Sequence, residues 1–85
     1  MIRTPITFPA DQVLQRSTAT QFVKVANHYD ARIMIERKDK VVNAKSMLGL
    51  LSLGVGGDDM VLVVDGPEEG QAAEAILALM TELFA

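Results

Sequence analysis

The sequence predicts an α+β fold of order βαββαβα, an open-faced sandwich with a four-stranded antiparallel sheet and helices on one face. Three observations predict it. Strand-like and helix-like periodicities alternate along the 85 residues. The polar connection Arg37-Lys38-Asp39-Lys40 is too short for anything but an antiparallel hairpin. Two helical stripes of similar width, one around Phe22 and one around Ile76, suit side-by-side packing on one sheet face.

Taken in order, Ile2, Thr4, Ile6 and Phe8 alternate with Arg3, Pro5 and Thr7, the period of a half-buried strand. Pro5 lacks a donor for the ladder, so an edge position is expected. Pro9-Ala10-Asp11-Gln12 turns the chain. Ala19, Phe22, Val23 and Ala26 then mark one face of a helix, and Thr18 with Gln21 fits a capping box that would start it late. Asn27-His28-Tyr29-Asp30 closes that helix. Ile33-Met34-Ile35 and Val41-Val42-Asn43 form the hairpin strands, and a short helix over 46–53 stops at Gly54. After the turn Gly56-Gly57-Asp58-Asp59 comes the most strand-like run, Met60–Val64, and after Asp65-Gly66-Pro67 the last helix. Its stripe is Ala72, Ala73, Ile76, Leu79, Met80 and Leu83, with Glu68 and Glu69 at the end the helix dipole favours for acids.

Composition bounds the function. The length suits one domain, residues 1–85, and 49% hydrophobic with 22% charged residues allows a buried core. Without cysteine there are no disulfides, zinc thiolates or thiol nucleophiles. No signal peptide and no run of roughly 18 to 20 apolar residues is present, so the expected location is cytoplasmic, with no membrane partner. All eight Lys and Arg precede residue 46 with only four of the eleven acids, so the two parts carry +4 and −7. That split favours an oriented encounter with a protein partner over direct nucleic-acid binding.

Catalytic and metal signals are weak. His28, the single histidine, has no acid or nucleophile near it in the pattern and reads as a solvated helix-terminal residue. Gly54-Val55-Gly56-Gly57 lacks the Lys-Ser/Thr of a phosphate loop, and Asp58-Asp59 has no further oxygen ligands at calcium spacing. The sequence therefore predicts no enzyme, no cofactor and no metal site.

The segment around Ser46 is the most informative. Ser46 stands behind Lys45 at the N-cap of the short helix, where unpaired N–H groups and the dipole favour an anion. On the residues alone, the plainer reading is that Ser46 merely caps the helix. Met47, Leu48, Leu50, Leu51 and Leu53 are too many large apolar residues for one buried stripe on two turns, so some face solvent or a partner, unless the sheet and glycine loop cover them. Met47 and Leu48 are the first candidates for a docking knob.

Asn43-Ala44-Lys45-Ser46-Met47-Leu48-Gly49-Leu50-Leu51-Ser52-Leu53-Gly54-Val55 resembles the regulatory-serine segment of the HPr family, the small phosphocarriers of the bacterial sugar phosphotransferase system. Length, element order and the Val64-Asp65-Gly66 turn also match, across nearly the whole chain. The resemblance implies that Ser46 is phosphorylated by an ATP-dependent HPr kinase/phosphorylase and that the product binds a LacI-type catabolite control transcription factor. It implies a partner surface of Gln15, Arg16, Ser17, Thr20, Lys45, Ser46, Met47, Leu48 and Leu51. Phosphocarriers of the family hold a histidine followed by Ala-Arg-Pro-Ala where this chain reads Gln15-Arg16-Ser17-Thr18-Ala19. An amide has no nucleophilic nitrogen for a phosphoramidate, so the chain resembles the catabolite-repression paralogues that keep only the serine. Ser17 and Thr18 replace the family's arginine and proline, leaving Arg16 as a substitute guanidinium. Two other readings stay open: a scaffold or allosteric subunit that has lost both switches, and a phosphocarrier that uses another residue such as His28. A homodimer exchanging the Pro5-bearing edge strand is also compatible with the pattern.

Overall fold

Alternating apolar residues on each strand give the sheet one greasy face, and the helical stripes cover it. The computed structural model describes residues 1–7, 16–52 and 60–84, with the side chains of Arg16, Ser17 and Phe84 outside that description. The elements are β1 (Ile2–Ile6), α1 (Arg16–Ala26), β2 (Arg32–Arg37), β3 (Lys40–Asn43), α2 (Met47–Leu51), β4 (Met60–Asp65) and α3 (Glu69–Phe84). Their order is the expected βαββαβα, and the four strands pair antiparallel in the order β1-β4-β2-β3. Phe8, the Pro9–Gln12 turn, Leu53 and the Gly54–Asp59 loop lie outside the described residues.

The register explains the core. Ile2, Thr4 and Ile6 of β1 face Val64, Leu62 and Met60 of β4, and Ile33 and Ile35 of β2 face Val64 and Leu62 from the other side. Val42 of β3 continues the row beside Ile35. Apart from Thr4, these side chains cluster with Ala19, Phe22 and Ala26 of α1, and with Ala72, Ala73, Ile76, Leu79 and Met80 of α3. Phe22, Ile33, Ile35, Leu62 and Ile76 are fully buried, each worth about 1.5–3 kcal/mol of transfer free energy.

Pro5 sits where its missing donor is tolerated: β1 is a sheet edge, paired only with β4, and Pro5 lies opposite Val61. The Thr18–Gln21 capping box does not form. Helix α1 already includes Arg16, so Thr18 lies within its first turn and not at its cap. The hairpin loop is the two residues Lys38 and Asp39, and Lys38 takes the left-handed φ of +56° that tight hairpins require.

The sheet's open face has its own device. Arg3 on β1 and Glu36 on β2 flank β4, and their side chains meet across it in a bidentate pair of 2.6 and 3.2 Å. Val63 lies on this face, between Arg3 and Met34 in the register, yet is only 1% exposed. The Arg3 guanidinium, by its hydrogen bond, holds the Glu36 carboxyl below the ordinary glutamate value. A depressed acid stabilises the fold above its unfolded-state value and loses that contribution as pH falls through the folded one. The denaturation midpoint of Glu36→Gln should therefore fall below wild type at pH 7, and the gap should close as pH drops below the ordinary glutamate range. A gap independent of pH would contradict the assignment.

Candidate functional site

A five-residue helix is far below the length that sustains itself in water, so α2 must be held by its surroundings. Leu50, fully buried, anchors it in the core, and Met47 packs half-buried against the same cluster. Ser46 is the N-cap, with extended φ −111° and ψ 122°, and its Oγ accepts the Gly49 N–H at 3.2 Å. The chain enters this cap through a turn organised by Asn43. The Asn43 Oδ1 accepts the Lys45 N–H at 2.8 Å, and the Asn43 carbonyl accepts the Ser46 N–H at 3.0 Å. At the far end the Lys40 ammonium donates to the Ser52 carbonyl at 2.8 Å, and the Ser52 hydroxyl to the Gly49 carbonyl at 2.6 Å. A cation at a helix C-terminus is the polarity the dipole favours.

The apolar excess on this helix divides as spacing requires. Leu50 points inward, while Leu48 is 81% exposed and Leu51 36% exposed, three residues apart on the outward side. Ser46 itself is half-buried, and Oγ carries the one Gly49 contact at 3.2 Å.

The structure brings together only part of the expected surface. Ser46, Met47, Leu48 and Leu51 share α2 and its cap. Lys45 joins them through its backbone, but its ammonium turns away, donating to the Tyr29 carbonyl at 2.7 Å in the turn after α1. Asn27 answers from that turn, its amide donating to the Val23 carbonyl at 2.8 Å and the Lys45 carbonyl at 3.3 Å. The α1 end that touches the serine loop is thus its C-terminus. Arg16 and Ser17 lie in the first turn, about 15 Å away along the axis. Thr20 is exposed between these ends, and Gln15 lies outside the described residues. His28 is exposed, with its ring in edge contact with that of Tyr29 at 6.0 Å. Among the described residues no cluster of three or more His, Cys, Asp or Glu could hold a metal, and no helix is long and apolar enough to cross a membrane.

Sequence reasoning missed Lys40, Asn27 and the backbone role of Asn43. An Asn two residues before a turn N–H is a legible Asx signal. The contacts of Lys40 and Asn27 span 12 and 18 residues and leave no local trace.

The family model described as the PTS HPr component phosphorylation site matches residues 2–82. The HPr-like protein Crh of Halalkalibacterium halodurans is 43% identical over 68 residues, covering 79% of this chain and 81% of that protein. Among solved structures, HPr-C-His from Thermoanaerobacter tengcongensis superposes with a TM-score of 0.86 at 33% identity, covering 99% of this chain and 96% of that one. Crh from Bacillus subtilis, solved as a dimer with a swapped domain, gives 0.76 at 34% identity, covering 96% and 95%.

Gly49 tests how tightly the cap is built. A Cβ there would meet the Asn43 carbonyl oxygen at 3.1 Å and the Ser46 Cβ at 3.5 Å. That carbonyl is held by the Ser46 N–H and cannot retreat without loosening the cap. Gly49→Ala should therefore lower stability by about 1 kcal/mol, overpacking outweighing the gain in helix propensity. A rise in the urea midpoint would show that the turn yields freely.

Proposed function

The chain belongs to the HPr family, and we propose that it acts as a regulatory phosphoprotein of carbon catabolite control, phosphorylated on Ser46. The observation that carries this reading is the pairing of a half-buried N-cap hydroxyl with the 81% exposed Leu48 two residues on. Its 43% identity to a Crh, together with a glutamine at position 15, supports the catabolite-repression role.

The protein is a substrate and a ligand, not a catalyst. In the kinase, Ser46 Oγ attacks the γ-phosphorus of ATP, the bond to the β-phosphate oxygen breaks, ADP leaves, and the serine proton passes to a base of the kinase. The product adds about −1.5 to −2 charge at pH 7 beside an apolar pair, Leu48 and Leu51. A LacI-type catabolite control factor reads both: basic groups pair with the phosphate, and an apolar pocket takes Leu48. Arg16, Ser17 and Thr20 of α1, with Gln15 preceding them in sequence, form the second, separate part of the proposed partner surface. Histidine phosphotransfer is absent because Gln15 offers no nucleophilic nitrogen. His28 does not replace it, since it follows the α1 C-terminus, where helix carbonyls disfavour a phosphoryl group. The protein works in the cytoplasm, as a single domain. The swapped dimer of the Bacillus subtilis relative supports a homodimer that exchanges the edge strand β1.

Incubation with HPr kinase/phosphorylase and ATP should add the mass of one phosphate to wild type and none to Ser46→Ala. A phosphate that persists in Ser46→Ala, or none on wild type, sinks the reading. Leu48→Ala should keep stability within about 0.5 kcal/mol and weaken binding of the phosphorylated protein to the regulator about tenfold. Unchanged affinity would remove Leu48 from the interface.

A further inference from the structure

The turn that closes α1 is stitched to the serine loop in both directions. Lys45 donates its ammonium to the Tyr29 carbonyl at 2.7 Å, partly buried, and Asn27 donates its side-chain amide to the Lys45 carbonyl at 3.3 Å. Hydrogen bonds along the turn lengthen outward: Asn27 N–H to Val23 at 2.9 Å, His28 N–H to Val25 at 3.0 Å, Tyr29 N–H to Ala26 at 3.4 Å. The weakest of these is followed by the carbonyl that Lys45 holds. Helix α1 thus ends on a cation supplied by the residue that precedes Ser46.

The geometry points to Lys45 as a two-position latch: on the Tyr29 carbonyl when Ser46 is free, on the phosphate when Ser46 is modified. The inference rests on the phosphorylation proposed above and adds what it does inside the molecule. An ammonium bonded to a neutral carbonyl gains less than one bonded to a dianion, because charge-assisted pairs are roughly twice as strong. Lys45 carries its charge on a flexible four-carbon stem and adjoins Ser46 in sequence, so the exchange needs no backbone rearrangement at the cap. The other ammonium bound to this segment, that of Lys40, is committed to the Ser52 carbonyl at the opposite end of α2.

Loss of the latch reaches a second place. Tyr29 and His28 stand with Lys24 and Val25 along one wall of a cleft of about 370 Å³ between α1 and α3, faced by Ala78 and Leu79. When Lys45 leaves, the turn carrying Tyr29 and His28 loses its charge-assisted bond. It keeps its own hydrogen bonds, the Asn27 amide on the Lys45 carbonyl and the Asp30 N–H on Glu68 Oε1, and so opens more often. The charge at Ser46 is thereby read at the α1–α3 cleft, on the side of α1 away from the leucine pair.

Phosphoserine placed at position 46 by nonsense suppression makes the test independent of any kinase, so failure of the kinase reaction would count only against the function proposed above. Amide hydrogen exchange at Asn27, His28 and Tyr29 should accelerate about tenfold on phosphorylation. Lys45→Met should show the same acceleration without phosphate and none further with it. Phosphorus NMR should place the titration of phosphoserine lower in the unmutated protein than in K45M, because the ammonium favours the dianion. Unchanged exchange on phosphorylation of the unmutated protein overturns the latch, as does an equal acceleration by phosphate in K45M. If K45M does not fold, exchange in the unmutated protein with and without phosphate still decides.

Discussion

Five residues cannot make a helix by themselves, and the character of this molecule's most distinctive surface follows from that constraint. Nucleation fixes several dihedrals for each early hydrogen bond, so α2 exists only because Leu50 is sunk in the core and both its ends are tied. Ser46 ties one end through Gly49, and Lys40 ties the other through Ser52. With the helix held from below, Leu48 is free to face outward at no cost to the fold. A longer, self-sufficient helix would have had to bury more of its apolar residues to dock.

The sheet supplies the platform for those ties. Because β3 lies at one edge and β1 at the other, the hairpin that carries Lys40 is placed beside α2, while β1 with its proline stays far from it. The central strands β4 and β2 carry the buried rows that orient α1 and α3. The open face is not left bare over its centre: Arg3 and Glu36 meet across β4, above a strand whose Val63 is buried. Such an exposed pair contributes modest stability, but its bidentate geometry fixes β1 against β2 through an intervening strand.

Most of the fold was legible because its signals are local. The alternation of Ile2 to Ile6, the stripe of Ala19, Phe22, Val23 and Ala26, and the polar connection Arg37-Lys38-Asp39-Lys40 each state their element within a few positions. The start of α1 was not, because Thr18 and Gln21 have the right residue types for a cap while tertiary packing carries the helix past them. At the serine segment, the pattern exposed the excess of leucines and put Met47 and Leu48 forward as outward residues; Leu48 is outward, while Met47 packs half-buried against the core. That assignment depends on where the core lies relative to α2, and it fell to Leu50 inward and Leu48 outward. Lys45 was legible as a charge beside Ser46, yet its ammonium is turned to Tyr29, a partner 16 residues earlier that no periodicity announces.

The division of labour on α2 also bears on how a phosphate could act as a switch. Burying the outward side chain of Leu48 in a partner contributes about 1.5–3 kcal/mol, and Leu51 less, since it is already partly covered. Association costs several kcal/mol in lost freedom before any contact is rewarded. The leucine pair alone therefore falls short of a stable complex. A dianion at Ser46 adds charge-assisted bonds that water and salt weaken, and without apolar area around it those too would be marginal. Each half is insufficient, and the proposed function requires both together on one rigid turn. Rigidity then becomes part of the signal. A phosphate and a leucine two residues apart act as one epitope only if α2 stays helical, which returns the argument to the buried Leu50 and the ties at either end.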